Sequence, residues 1–175
     1  NGTVNAIAIT GNDVYVGGFF SNAGGVSGAN YIARWDGTNW NTLGGPGDLG
    51  PAFFFYYVNA IAISGTEVLV GGFFSNAAGN NANDYITRWT GTAFVPLGSK
   101  TSGPLDGVVN AIAVVGTDVY VGGSFSNAGG VLGANNIARW DGTQWHAVGG
   151  ANAINAQVNA IAISGSNVFV GGSFT

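Results

Sequence analysis

Cysteine and methionine are both absent from the 175 residues. Without thiols there is no disulfide framework and no thiolate metal site, although secretion stays open because large repeat folds need no staples. Charge is scarce as well, at 7% of residues against roughly 25% in ordinary globular domains. The only bases are Arg34, Arg88, Arg139 and Lys100, set against eight acids, so no basic patch can be assembled for nucleic acid. No apolar run is long enough to cross a bilayer, and the richest stretch, 53–60, falls far short. No signal peptide is visible. The chain opens in a Gly/Asn-rich phrase and stops inside a repeat, so it reads as a piece of a longer protein.

What is abundant is glycine, 32 residues, together with 13% aromatics. That balance is unlike disorder, which is poor in aromatics and rich in charge. One phrase, VNAIA…VGG…SNA…W, fills residues 4–45, 58–99 and 109–150, and its opening returns at 158–175. The first and third copies match at 32 of 42 positions without a gap. Spacings of 54, 51 and 49 residues, each holding several short strands, mark β-propeller blades. The expected fold is all-β, a single propeller segment over 1–175 with three four-stranded antiparallel blades and a two-stranded half blade.

Within a copy, VNAIAI at 4–9 alternates small and large residues. Strict alternation puts Val4, Ala6 and Ala8 on one face and Asn5, Ile7 and Ile9 on the other. Neither face is charged, which predicts an inner strand buried on both sides, Ala face against Ile face. A turn with glycine second follows in every copy (Gly11, Gly65, Gly116, Gly165), suiting a hairpin that needs positive φ. The second strand is VYVGG or a close variant, and its paired glycines allow close backbone approach. After a polar loop of about ten residues come YIARW, YITRW or NIARW, a turn such as Asp36-Gly37 or Asp141-Gly142, and a short fourth strand from Trp40, Phe94 or Trp145. No helix is expected anywhere.

Four hydrophobic-rich positions ending in Gly-Gly, with an aromatic a fixed distance later, resemble the kelch motif of galactose-oxidase-like propellers. The likeness runs over residues 4–175. Phrases such as GGSFSNAGG and ANNIARWDGTQW are also similar to repeats of large bacterial surface and secreted proteins, and to the propeller region of fungal cortical marker proteins. The DGTxW turn resembles the Asp-box hairpin of sialidases, but that motif is spaced SxDxGxTW, so it ranks second. The resemblance implies an extracellular or cell-surface setting. Galactose-oxidase-like chemistry would imply a copper site with histidines and a Cys–Tyr link. With no Cys and the single His146, these blades do not carry it, and no cofactor is expected.

His146 replaces Asn41 and Val95 of the other copies and reads as a tolerated outer-strand residue. The three arginines hold one equivalent position in three blades, so they are arrayed rather than gathered on a substrate carboxylate. Stacking on a neighbouring Trp, or pairing with Asp36 or Asp141, is the expected use, optional because the second copy has Thr90 there. Loop 80–84 is oxygen-rich, making Asn83 and Asp84 weak candidates for a hard cation; with one carboxylate among six to eight ligands wanted, turn formation is the better reading.

Alternating strand direction places the loops 21–30, 75–84 and 126–135 on one face with the linkers 46–57, 100–108 and 151–157. The first linker alone carries five consecutive aromatics, Phe53, Phe54, Phe55, Tyr56 and Tyr57. Beside Asn22, Asn76 and Asn127 they form a candidate surface for a glycan or a surface protein. On that reading, loss of Tyr56 or Phe54 should abolish glycan retention without unfolding. The alternative is that the rings extend the inner strand into the core or plug the channel. Three blades and two strands do not close a ring. Further blades of a longer chain, or other copies of this one, are the expected cover. The resulting expectation is a non-catalytic binding or structural module. A sugar-binding propeller, or a scaffold for an enzyme whose catalytic residues lie elsewhere, are the alternatives.

Overall fold

Gly11, Gly65, Gly116 and Gly165 sit at φ of 57–59°, where only glycine turns without strain, and each closes a hairpin between the first two strands of a unit. In the computed structural model, which describes residues 2–44, 56–98, 104–150 and 153–175, the chain is all-β and forms four antiparallel sheets. The first holds β1 (Thr3–Thr10), β2 (Asp13–Phe19), β3 (Ile32–Trp35) and β4 (Trp40–Asn41). In the second are β5 (Tyr57–Ser64), β6 (Glu67–Phe73), β7 (Ile86–Trp89) and β8 (Phe94–Pro96). The third comprises β9 (Val108–Val115), β10 (Asp118–Ser124), β11 (Ile137–Trp140) and β12 (Trp145–Ala147). The fourth pairs β13 (Val158–Ser164) with β14 (Asn167–Gly172). Strand order is sequential in every sheet, so each is a meander.

Strict alternation along the first strand does not hold. Val4 pairs with Gly18 while Ala6 pairs with Gly17, which leaves Asn5 as the extra residue of a bulge. The same shift recurs in the other three sheets. Val4 therefore joins Ile7 and Ile9 on one face, and Ala6 and Ala8 share the other. The core confirms the exchange: Val58 and Ile61 together crowd the same point over Gly17.

The sheets follow one another in chain order, each laying its first strand across the first two strands of the sheet before. Val58, Val109 and Val158 are fully buried by that packing. They lie over Gly17, Gly71 and Gly122, where a side chain would leave no room. Ala62 of one sheet and Ile112 and Val114 of the next pack against a common buried cluster. The bulged asparagines reach across the same junctions: the Nδ2 of Asn5, Asn59 and Asn110 donates to the carbonyls of Val58, Val109 and Val158 at 3.0, 3.1 and 3.0 Å. A residue without a strand partner thus becomes the link between sheets.

Among the described residues, helical backbone is confined to single 3₁₀ turns at Ala23–Gly25, Ala77–Gly79, Asn81–Asn83 and Ala128–Gly130, where the sequence predicts loops. Asn22, Asn76 and Asn127 start three of them in the left-handed region, which asparagine tolerates. Tyr31, Tyr85 and Asn136 also hold positive φ, 59–63°, just before the third strands. Each turns the loop back so that its carbonyl accepts from Gly18, Gly72 or Gly123.

Candidate functional site

The loops after the second strands meet the linkers, as strand direction requires. The Tyr56 hydroxyl lies 3.3 Å from Ser75 Oγ, the Ser126 amide donates to Asp106 Oδ1, and the Gly129 amide donates to the Pro104 carbonyl. Asn136 Nδ2 donates to the Ile154 carbonyl in the same way. Grooves open on this face among the described residues. One, about 240 Å³, is lined by Phe20, Asn22, Gly24 and Trp40. Another, about 270 Å³ and more polar, lies between Asp106, Ser126 and Asn136.

The residues proposed to bind ligand have structural employment where they are described. Phe53, Phe54 and Phe55 lie outside the described residues. Tyr56 is buried in the core cluster with Tyr15, Val58 and Phe74, and its ring meets Tyr31 edge-on at 6.5 Å. Its removal would disturb packing, so it cannot report on ligand alone. Tyr57 opens β5 and stacks at a tilt against Phe73. The Asn22 and Asn127 side chains accept from the amides of Gly28 and Gly133, bracing the loops from within. The Asn76 amide donates to Asp84 Oδ1.

That bond lowers the Asp84 carboxyl pKa, but burial outweighs it and the net shift is upward. Asn83 is wholly buried; its Nδ2 donates to the Ala77 carbonyl and its Oδ1 accepts from the Thr87 hydroxyl. Asn83 thus holds the loop to Thr87 of the third strand, and Asp84 ties the end of the loop back to Asn76 at its start. Among the described residues, no three of His, Cys, Asp or Glu gather into a metal-binding group.

Each arginine has a carboxylate partner, but not one from the turn after the third strand. Arg34 pairs with Asp13 at 3.3 Å, Arg88 with Glu67 at 3.0 Å and Arg139 with Asp118 at 2.9 Å. The partners begin the second strand, which lies beside the third in register. Thr90 in the second unit is then no loss, since Glu67 serves there. A sequence signal existed: an acid stands at this position in every copy that has the arginine, while the fourth has Asn167 and no third strand.

Asp36 and Asp141 instead brace their own turns. Asp36 Oδ1 accepts from the Thr38 and Asn39 amides, and its Oδ2 accepts from Asn41 Nδ2. Hydrogen bonds, first from the Asn39 amide and then from Asn41, lower its pKa. In the third unit His146 takes the place of Asn41, its Nε2 lying 2.6 Å from Asp141 Oδ2. That contact, followed by those of Thr143 and Gln144, holds the Asp141 carboxyl well below the usual carboxylate range. A depressed folded pKa contributes stability that is complete above the ordinary value of about 4 and fades as pH falls toward the folded one. His146→Val should therefore move the Asp141 titration upward, toward that ordinary value. Carboxyl-carbon NMR between acid and neutral pH would read the shift, and an unchanged midpoint would contradict the pairing.

No protein-family model and no curated protein matches this chain. Among solved structures it is similar to the computationally designed Ika4 protein, with 17% identity, a TM-score of 0.55, and coverage of 97% of this chain and 85% of that one. The computationally designed Ika8 protein matches at 16% identity and a TM-score of 0.43, over 95% of this chain and 54% of that one. The likeness to Ika4 speaks to the fold alone.

Proposed function

We propose that the chain is a kelch-like β-propeller segment, three four-stranded blades and a two-stranded one, serving outside the cell or on its surface as a non-catalytic binding or structural module. The observation that carries this reading is where the repeated polar residues are spent. Asn5, Asn59 and Asn110 tie sheet to sheet, and Asp13, Glu67 and Asp118 tie second strand to third. Side chains of an enzyme site would differ between units and converge; these recur and disperse. Glycan or protein partners would then be met on the loop face.

Electron microscopy of the purified chain tests the architecture: four sheets fanned round a common axis are expected, and a flat stack would overturn it. A parallel trial on polysaccharide gels tests the role. Retention that Trp40→Ala abolishes, with folding intact, would replace the structural reading by sugar binding in the groove at Phe20 and Asn22.

A further inference from the structure

We propose that this chain associates head to tail with a second copy of itself, the β1 face of one copy seating on the β13–β14 face of the next. The inference rests on the repeat-array reading above and adds the partner. Inside the chain this contact is already made three times. Val58 with Ile61, Val109 with Ile112, and Val158 with Ile161 fill the space over Gly17, Gly71 and Gly122. At each junction an asparagine of the preceding sheet donates to the carbonyl of that valine.

The molecule carries a further copy of each half, and both are exposed. Val4, Ile7 and Ile9 are 49, 61 and 64% exposed, while the equivalents of Val4 (Val58, Val109 and Val158) are at 0% and those of Ile7 (Ile61, Ile112 and Ile161) are half-buried. Gly171 is the counterpart of Gly17, Gly71 and Gly122. A Cβ placed on it would meet only Ala160 Cβ, 4.0 Å away, where the other three meet valine and isoleucine. Phe169 beside it is 56% exposed, while its counterpart Leu69 is at 1%.

Residues 4–7 read VNAI, letter for letter the segment that opens β13 and recurs at 58–61 and 109–112. The first strand of a second copy therefore brings to Gly171 the side chains that the other glycines already receive. Val4 and Ile7 cover the glycine, and the Asn159 amide donates to the Val4 carbonyl; the Asn159 side-chain oxygen already accepts from Gln157. No charged residue lies on either strand face, so burial costs little desolvation. Because the two surfaces differ, the contact is heterologous. It gives a ring if the rotation closes and a filament if it does not.

Sedimentation velocity over a concentration series tests this with four samples of the 175-residue chain: the parent, Ile7→Arg, Gly171→Val, and the two variants mixed one to one. Both positions are exposed in the single chain, so each variant should keep its strand signal in circular dichroism. The parent is expected at multiples of 17.6 kDa. Each variant alone is expected as a monomer. The mixture should stop at dimers, because it retains one sound head and one sound tail per pair. A parent that stays monomeric to its solubility limit overturns the proposal and leaves the faces to further repeats or to another protein. Variants that still assemble, or a mixture that does not pair, overturn it as well. Failure of the underlying array reading shows differently: Gly71→Val would then be as stable as the parent, whereas failure of docking alone leaves that variant unstable.

Discussion

Gly71→Val is expected to destabilise the chain by about 3 kcal/mol, the upper part of the usual range for overpacking a filled core. The new Cβ would fall inside van der Waals contact of Val109 Cγ1 and only 3.0 Å from Ile112 Cδ1. Val109 is fully buried, and its β-branched side chain is stiff at χ1. Relief therefore requires the second and third sheets to part, which also strains the Asn59 bond to the Val109 carbonyl. Gly171→Val is the control, being the same change at the equivalent position with open space around it. There the loss of unfolded-chain freedom should give a gain of a few tenths of a kcal/mol, up to about 1. Urea midpoints of the two variants, measured at a concentration where the chain is monomeric, separate them cleanly. Equal midpoints would mean that the sheets do not pack over these glycines.

The second large effect concerns a buried polar pair peculiar to the second unit. Asn83 and Thr87 are both fully buried, and the single proton of the Thr87 hydroxyl is shared between Asn83 Oδ1 and the Val95 carbonyl, each 3.1 Å away. The first unit has Ala29 and Ala33 at these positions, and the third has Ala134 and Ala138, all without exposure. Thr87→Ala should cost about 2 kcal/mol, because it strands a buried amide oxygen without its donor. Asn83→Ala should cost less than a stranded group would, since the Ala77 carbonyl keeps the Asn80 amide as partner. Combined, the changes recreate the alanine pair of the sister units, so the double variant should cost at least about 1 kcal/mol less than the sum of the singles. Strictly additive losses would show that the pair is not coupled.

Much of this was legible in the repeat. Turn glycines and the short fourth strand fall where the sequence puts them, and the third strand does so from its second residue on, since Tyr31, Tyr85 and Asn136 turn at positive φ instead of extending. The face of the first strand was not legible, since one extra residue at Asn5 reverses alternation and a bulge leaves no mark on a hydrophobic pattern. The arginine partners were readable from the acids at 13, 67 and 118, but only once second and third strands were placed side by side in register. Composition left two uses open for the linker aromatics, because a ring serves equally well to bind a ligand or to seal a core. Tyr56 does the second, which composition cannot distinguish from the first.

Every junction in the array joins the same valine–isoleucine face to the same glycine, so any unit is a fitting neighbour for any other. An in-frame duplication of one unit in the gene would insert a sheet whose two faces already match those on either side. A deletion would close on an equally matched pair. Such a coding sequence can lengthen or shorten by recombination without passing through an unfolded intermediate in its history.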